Sequence, residues 1–308
     1  MDRRGQEGVS LTLGTALPPQ EGADLARWPC RFVRVRPDAP PEVVTGHVVG
    51  EEPLEIVLNG RTVAVLMRTP GHEKELAAGF CLGEGLIEDF RDVVLIQHCG
   101  QSTLSPDASD DPLDASRNQV RITLRAGAPV RQSRNEVARL IRSGCGRADV
   151  SEVLWDLPPL PRGEMRVPAR VLGGLSGQMA AQQEVYRESG GIHAAAVFTA
   201  EGLLVTLQED VGRHNAVDKA TGYCLLRGIP LTDKVLVSTG RASYDMVVKA
   251  VRLGVPIVAS RSSPTSLALQ LAQHLNCTLI GYLRRERFQV YTHSWRIPGG
   301  GDESTGDE

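Results

Sequence analysis

The chain has 308 residues, 41% of them apolar before glycine is counted and 23% charged, with a formal charge of −3 from 34 basic and 37 acidic side chains. Such a composition excludes disordered, collagen-like and disulfide-scaffold classes, and the length suits one large or two ordinary domains. With so little net charge there is no global field to recruit nucleic acid or an anionic membrane, so any anion site must be local.

Residues 1–40 are rich in Gly, Pro, Gln and Arg without helical or strand period and read as a flexible leader ending at Pro40-Pro41. A first α+β unit is expected over 41–157. It opens with a strand at 43–49. Strands at 54–58 and 62–67 then flank Asn59-Gly60, the pair a tight hairpin turn favours. Thr69 as N-cap and Pro70 as first helical residue predict a helix that places Leu76, Ala77 and Phe80 on one face and ends at Gly83 and Gly85. Strands follow at 93–97 and 119–124, separated by a polar surface loop, and 135–141 has helical spacing.

Residues 158–169 read as a linker, and 170–297 as a second unit of different texture. Short apolar runs at 194–199, 203–207, 235–238, 255–260 and 278–283 alternate with helical patterns from Asn215, over 244–253 and over 265–275. That alternation is the pattern of an α/β sheet covered by helices. Residues 298–308, glycine-rich and then acidic, read as a disordered tail.

Ligands of open α/β sheets bind beyond the carboxyl ends of the strands, where helix amino-terminal amides favour anions. Two neighbouring strand-to-helix turns carry suitable side chains: Ser238, Thr239, Gly240, Arg241 and Ser243 in one, Ser260, Arg261, Ser262, Ser263 and Thr265 in the other. Ser and Thr before a helix are ordinarily caps; two adjacent copies, each with an arginine, make phosphate binding an equal reading. The densest polar cluster runs from Glu209 to Lys219, where a strand ends and a helix starts, so that His214 or Asn215 in the first turn and Asp218 and Lys219 one turn on face the same cleft edge. His193 follows Gly190-Gly191 at the head of an apolar strand. It begins H-A-A where a zinc deaminase needs H-x-E, and no P-C-x-x-C follows, which disfavours zinc-dependent deamination.

The six cysteines (Cys30, Cys81, Cys99, Cys145, Cys224 and Cys277) are scattered, with no C-x-x-C spacing. This argues against a zinc knuckle and for a reducing compartment, and no apolar run reaches the roughly 18 residues of a membrane helix. The chain is read as a soluble, cytoplasmic protein with no metal ligands and no nucleic-acid or membrane partner. Cys145 stands apart: it lies in Arg142-Ser143-Gly144-Cys145-Gly146-Arg147, where glycines remove steric cover and arginines favour thiolate. Cys81, Cys224 and Cys277 sit in apolar stretches and read as packing residues.

From T-P-G-H-E-K-E-L-A-A-G-F through G-G-I-H-A-A-A, E-D-V-G-R-H-N-A-V-D-K, S-T-G-R-A-S-Y-D-M-V and S-P-T-S-L-A to R-F-Q-V-Y-T-H, the sequence resembles the FdhD/NarQ family of formate dehydrogenase accessory sulfurtransferases. The resemblance implies a second unit with the cytidine deaminase fold but without its zinc. It also implies that persulfide sulfur passes from a cysteine desulfurase to the molybdenum or tungsten bis(molybdopterin guanine dinucleotide) cofactor of formate dehydrogenase. The family's sulfur-bearing cysteine matches Cys145, and its second loop cysteine is here Ala148. A lone Cys145 must hand sulfur directly to the acceptor, since no second thiol resolves the persulfide as a disulfide. A cofactor-binding chaperone without sulfur transfer is the alternative. The resemblance further implies a cofactor-binding segment at Tyr282, Leu283, Arg284, Arg285, Glu286 and Arg287. The expected arrangement sets the pyrophosphate and guanine ends on the two serine loops with this segment closing the site, His193, Asp210, Arg213 and His214 lining the same cavity, and Asp210 the candidate for the guanine amino edge. Monomer and homodimer are both compatible with the sequence.

Overall fold

A computed structural model of the chain describes residues 25–99, 118–130, 139–141 and 157–298. Strands β1 (Arg27–Arg36) and β2 (Ala39–Val49) form an antiparallel ribbon of their own. The expected leader is therefore folded from Arg27 onward. Pro40-Pro41 does not end a disordered segment but lies where the β1–β2 register slips, between the pairs Arg34↔Glu42 and Arg36↔Ala39. A two-stranded ribbon has only edges, and prolines are tolerated on edges and at bulges because their missing N–H breaks no interior ladder.

Strands β3 (Glu52–Leu58), β4 (Arg61–Arg68), β5 (Val93–Cys99), β6 (Gln119–Leu124) and β7 (Arg139–Ile141) make a five-stranded sheet in the order β5-β6-β3-β4-β7. The β3–β4 turn is the one Asn59-Gly60 predicts, with φ of 48° and 80°. Arg139–Ile141 corrects the helical expectation for 135–141: this stretch pairs parallel with β4, Ile141 opposite Leu66. Helix α1 (Glu73–Gly83) lays Leu76, Ala77 and Phe80 on the apolar face of this sheet, against Leu54, Ile56, Leu66 and Ile122. Its N-cap is His72 at φ 60°, not Thr69, because Thr69 is engaged elsewhere.

Helices α2 (Ala169–Gln182) and α3 (Glu184–Ser189) precede the second sheet. That sheet holds β8 (His193–Thr199), β9 (Leu204–Asp210), β10 (Lys234–Ser238), β11 (Ile257–Ser260), β12 (Thr278–Gly281) and β13 (Gln289–Val290). Its order is β13-β12-β11-β10-β8-β9, with β10, β11 and β12 parallel and the remaining pairs antiparallel. Helices α4 (Arg213–Leu226), α5 (Tyr244–Arg252) and α6 (Ser266–His274) cover one face, where Ala195, Val197 and Leu236 meet Val217, Met246 and Leu271. The other face sets Ala196, Phe198, Val235 and Val237 against Leu172, Leu175 and Met179 of α2. Burial on both faces explains why these strands read as continuous apolar runs.

The two units meet through α1 and α4. A Cβ on Gly79 would stand 2.0 Å from the Asp218 carbonyl oxygen, and one on Gly222 1.9 Å from that of Glu75. Only hydrogen at both positions lets the two backbones touch. Residues 158–169 carry no regular structure until α2 begins, yet Leu160 N–H donates to Leu275 O and Val167 N–H to Arg296 O, both within 2.9 Å. This segment is thus strapped onto the second unit.

Candidate functional site

Because β10, β11 and β12 are parallel and β8 runs against them, the carboxyl ends of the three strands and the amino end of β8 converge on one edge. Backbone bonds stitch the turns there together: Arg261 N–H to Ser238 O, Tyr282 N–H to Ser262 O, Leu283 N–H to Ser260 O, and Ala242 N–H to Ser263 O, each at 2.9–3.2 Å. Above them opens a cavity of about 560 Å³ lined by His193, Thr239, Arg261, Ser262, Tyr282 and Arg284, with Gln183, Tyr186, residues 190–192 and Val211 on its other side.

Several expected ligand groups are occupied by the fold itself. Ser238 and Ser260 are fully buried. Ser238 Oγ accepts from Gly240 N–H at 3.1 Å; Ser260 Oγ donates to Gly240 O at 2.5 Å and accepts from Ser262 N–H at 2.9 Å. Thr265 caps α6 by accepting from Ala268 N–H at 3.4 Å, and Ser243 Oγ lies 3.4 Å from His214 Nε2. Leu283 is a core residue. Arg241, Arg285, Glu286 and Arg287 are exposed and do not line the cavity.

Asp210 corrects the expectation most sharply. Its side chain is wholly buried; Oδ1 accepts from Gly212 N–H at 2.8 Å and Asn215 Nδ2 at 3.0 Å, while Oδ2 accepts from Thr69 N–H at 3.1 Å and pairs with Lys219 Nζ at 2.7 Å. A carboxylate has about four acceptor positions, and all are filled, so none remains for a guanine edge. Thr69 Oγ1 in return accepts from Val211 N–H at 3.0 Å, and Lys219 donates to Thr69 O at 2.8 Å. Asp210 is the joint between the two units. Asp218 does not face the cleft either: it is buried against Lys249, 2.6–2.7 Å from its Nζ, with Glu84 3.1 Å from the same ammonium. Burial alone would depress Lys249, but the two carboxylates outweigh it and hold its pKa above the usual lysine value.

His193 and His214 are both kept neutral. Burial lowers the pKa of His193, the Arg213 charge adds to this, and Thr239 Oγ1 lies 3.3 Å from its Nδ1. Burial, then Lys249 and Arg213, press His214 down to about 3. Arg213 is packed against Gly240, where a Cβ would come within 2.8 Å of its stem, and its Nε is buried without an acceptor.

The helices before β8 were not assigned from sequence, so Gln183 and Tyr186 were missed as cavity residues. A signal existed: Gly190, at φ 72°, ends α3 just before His193. Glu209 holds α3 in place, its carboxylate accepting from the N–H groups of Val185 and Tyr186 at 2.9 Å. Tyr186 and Tyr282 therefore present exposed rings to one cavity, Tyr282 from a left-handed backbone at φ 52°. Arg261 and Arg284 have no carboxylate partner among the described residues; Arg284 Nη1 instead donates to Arg261 O at 2.5 Å. Two aromatic faces, two guanidiniums without a carboxylate partner among the described residues, hydroxyls and a neutral imidazole suit a ligand that joins a planar base to phosphate groups.

Cys145, with Arg142, Arg147 and Ala148, lies outside the described residues. Cys81, Cys224 and Cys277 are fully buried, and burial pushes their thiols up to about 12, 11 and 12. Among the described residues no three His, Cys, Asp or Glu side chains gather as a metal site, and no helix is long and apolar enough to cross a membrane.

The FdhD/NarQ family model matches residues 49–298. The sulfur carrier protein FdhD of Streptomyces coelicolor is 38% identical over 271 residues, covering 86% of this chain and 91% of that protein. The protein of the same description from Sulfolobus acidocaldarius is 37% identical over 251 residues, covering 81% and 90%. A crystal structure from Desulfotalea psychrophila, described as a formate dehydrogenase accessory protein, is 29% identical with a TM-score of 0.70 and covers 88% of this chain and 99% of that one.

Proposed function

Since the chain belongs to the FdhD/NarQ family, we propose that it is a cytoplasmic sulfurtransferase that takes persulfide sulfur from a cysteine desulfurase and passes it to a molybdenum or tungsten bis(molybdopterin guanine dinucleotide), the acceptor substrate, on its way into formate dehydrogenase. The observation that carries this reading is the cavity at the strand ends, where Arg261 and Arg284, without a carboxylate partner among the described residues, stand beside Tyr186 and Tyr282. In this reading the guanidiniums hold a pyrophosphate, the rings hold guanine, and Thr239, Ser262 and neutral His193 supply hydrogen bonds. A volume of about 560 Å³ suits one nucleotide arm. The relation to the cytidine deaminase fold belongs to the same proposal. Its support is the β8–β9 hairpin continued by parallel β10, β11 and β12.

Cys145 carries the sulfur. Its thiolate, favoured by Arg142 and Arg147, attacks the outer sulfur of the donor persulfide; the donor S–S bond breaks and the donor cysteine leaves as thiolate. On delivery an electron pair of the reduced acceptor attacks the outer sulfur, so that the acceptor–sulfur bond forms as the new S–S bond breaks; the acceptor gives up two electrons to that sulfur and Cys145 leaves as thiolate. The chain course supports this. Ile141 pairs opposite Leu66, two residues before Arg68 ends β4, and the next residue, Thr69, bonds Val211 at the cavity wall. Cys145 follows Ile141 by four residues, a reach of at most about 14 Å.

The test is intact-protein mass spectrometry after incubation with a cysteine desulfurase and cysteine, with GDP binding measured in parallel. A gain of about 32 Da in wild type and none in Cys145→Ala is expected, with GDP affinity equal in both. Sulfur gain by both proteins would move the carrier elsewhere. No gain by either, with the desulfurase active on another acceptor, would leave the cofactor-binding chaperone.

A further inference from the structure

The opposite end of the six-stranded sheet carries a second cavity, of about 490 Å³, formed where β8 ends and β10 and β11 begin. It is separated from the nucleotide-type cavity by the length of β10, five residues or about 13 Å of strand. Its wall includes Arg162 from the strapped segment and Arg296 from the short helical turn Ser294–Arg296.

Arg296 is 1% exposed, a position where a charged side chain is ordinarily paired. Its Nη1 donates to Thr278 Oγ1 at 3.0 Å, but Nη2 is buried with no acceptor. The indole of Trp295 lies 4.1 Å from the Arg296 guanidinium, with Arg166 at 4.5 Å and Arg162 at 5.2 Å from the same ring. Cation–π contact offsets part of the cost of gathering these charges, and Arg166 Nη1 donates to Met165 O at 2.9 Å, but neither contact neutralises the three guanidiniums. Among the described residues none of the three arginines has a carboxylate within ion-pair distance, although Glu164 stands between Arg162 and Arg166 in sequence. The other acids on the wall are Asp233, paired to Lys234, and Glu201, which accepts from the Thr199 hydroxyl. The positive groups therefore lack a counter-charge that the fold could have supplied.

We propose that this cavity binds a small oxyanion-bearing ligand, phosphate or carboxylate, between Arg296 and Arg162, at a site separate from the cofactor cavity. Such an anion supplies the counter-charge that Arg162, Arg166 and Arg296 lack among the described residues and relieves the repulsion among three guanidiniums around one indole. A planar guanidinium fork matches both phosphate and carboxylate, so the ligand's source is decided by affinity.

Isothermal titration of the full chain with inorganic pyrophosphate and, separately, citrate, at ionic strength fixed with sodium chloride, tests this. Saturable binding is expected for at least one of them, weakened tenfold or more in Arg162→Ala, which is exposed and leaves the core intact, and in Arg296→Lys. Saturating GDP should not compete, and Arg162→Ala should keep wild-type GDP affinity. Tighter pyrophosphate identifies a phosphate ligand, and tighter citrate a carboxylate. Absence of saturable binding, or binding abolished by GDP and by Arg284→Ala but not by Arg162→Ala, overturns the proposal. The second pattern would place the anion in the cofactor cavity.

Discussion

Asp210→Asn separates an internal joint from a ligand contact. The substitution keeps the shape of the side chain but removes its charge, leaving Lys219, 1% exposed, with only the carbonyls of Thr69 at 2.8 Å and Glu209 at 3.4 Å. It also turns one acceptor oxygen into an NH₂ facing donors, either Thr69 N–H at 3.1 Å or the pair Gly212 N–H and Asn215 Nδ2 at 2.8 and 3.0 Å. Breaking a buried pair by neutralising one partner costs about 3–5 kcal/mol. For a chain of this size that corresponds to a fall in Tm on the order of 10 °C. Calorimetric melting measures it, and GDP titration well below the transition measures binding independently. A loss of GDP affinity with a melting temperature within about 2 °C of wild type would refute the reasoning, because it would mean that the carboxylate serves a ligand.

Gly79→Ala and Gly222→Ala should each drive α1 and α4 apart and destabilise by about 1–3 kcal/mol or more, while Gly177→Ala, with nothing within 4 Å of its added Cβ inside α2, should stabilise by about 0.5–1 kcal/mol. Equal melting temperatures for the three variants would contradict the close crossing. His214 has a folded pKa of about 3, below its unfolded value, so between about 3 and 6.5 the unfolded chain binds the extra proton. Its contribution is complete above about pH 6.5 and is lost as pH falls through that window, by roughly 1.4 kcal/mol per pH unit. Urea unfolding across pH 4–7 should show a wild-type slope that His214→Gln reduces by about that amount; parallel curves would show that His214 titrates normally in the folded state.

Local physical chemistry made much of this protein legible from sequence. Asn59-Gly60 specifies its own turn, the apolar runs at 235–238 and 255–260 mark strands buried on both faces, the second of which begins at Ile257, and the three apolar cysteines are core residues. Motifs spread from residue 69 to residue 293 were enough to mark the family, which the match over 49–298 establishes. What the sequence could not convey was which polar groups the fold would use for itself. Ser238, Ser260 and Thr265 look like a phosphate rim in one dimension, but hydroxyls at strand-to-helix turns satisfy the nearest backbone first. Asp210 looks like a ligand residue until Thr69, 141 residues away, is brought against it. Thr69 likewise reads as an N-cap because its partner is remote. The Pro40-Pro41 pair reads as a break because the edge ribbon that tolerates it has no local period. Helix α3 was invisible because its cap, Glu209, lies 24 residues downstream of Val185. Short-range periodicity and turn chemistry are set by neighbours along the chain. The assignment of each polar side chain to structure or to ligand depends on contacts between distant segments, and only the tertiary structure decided it.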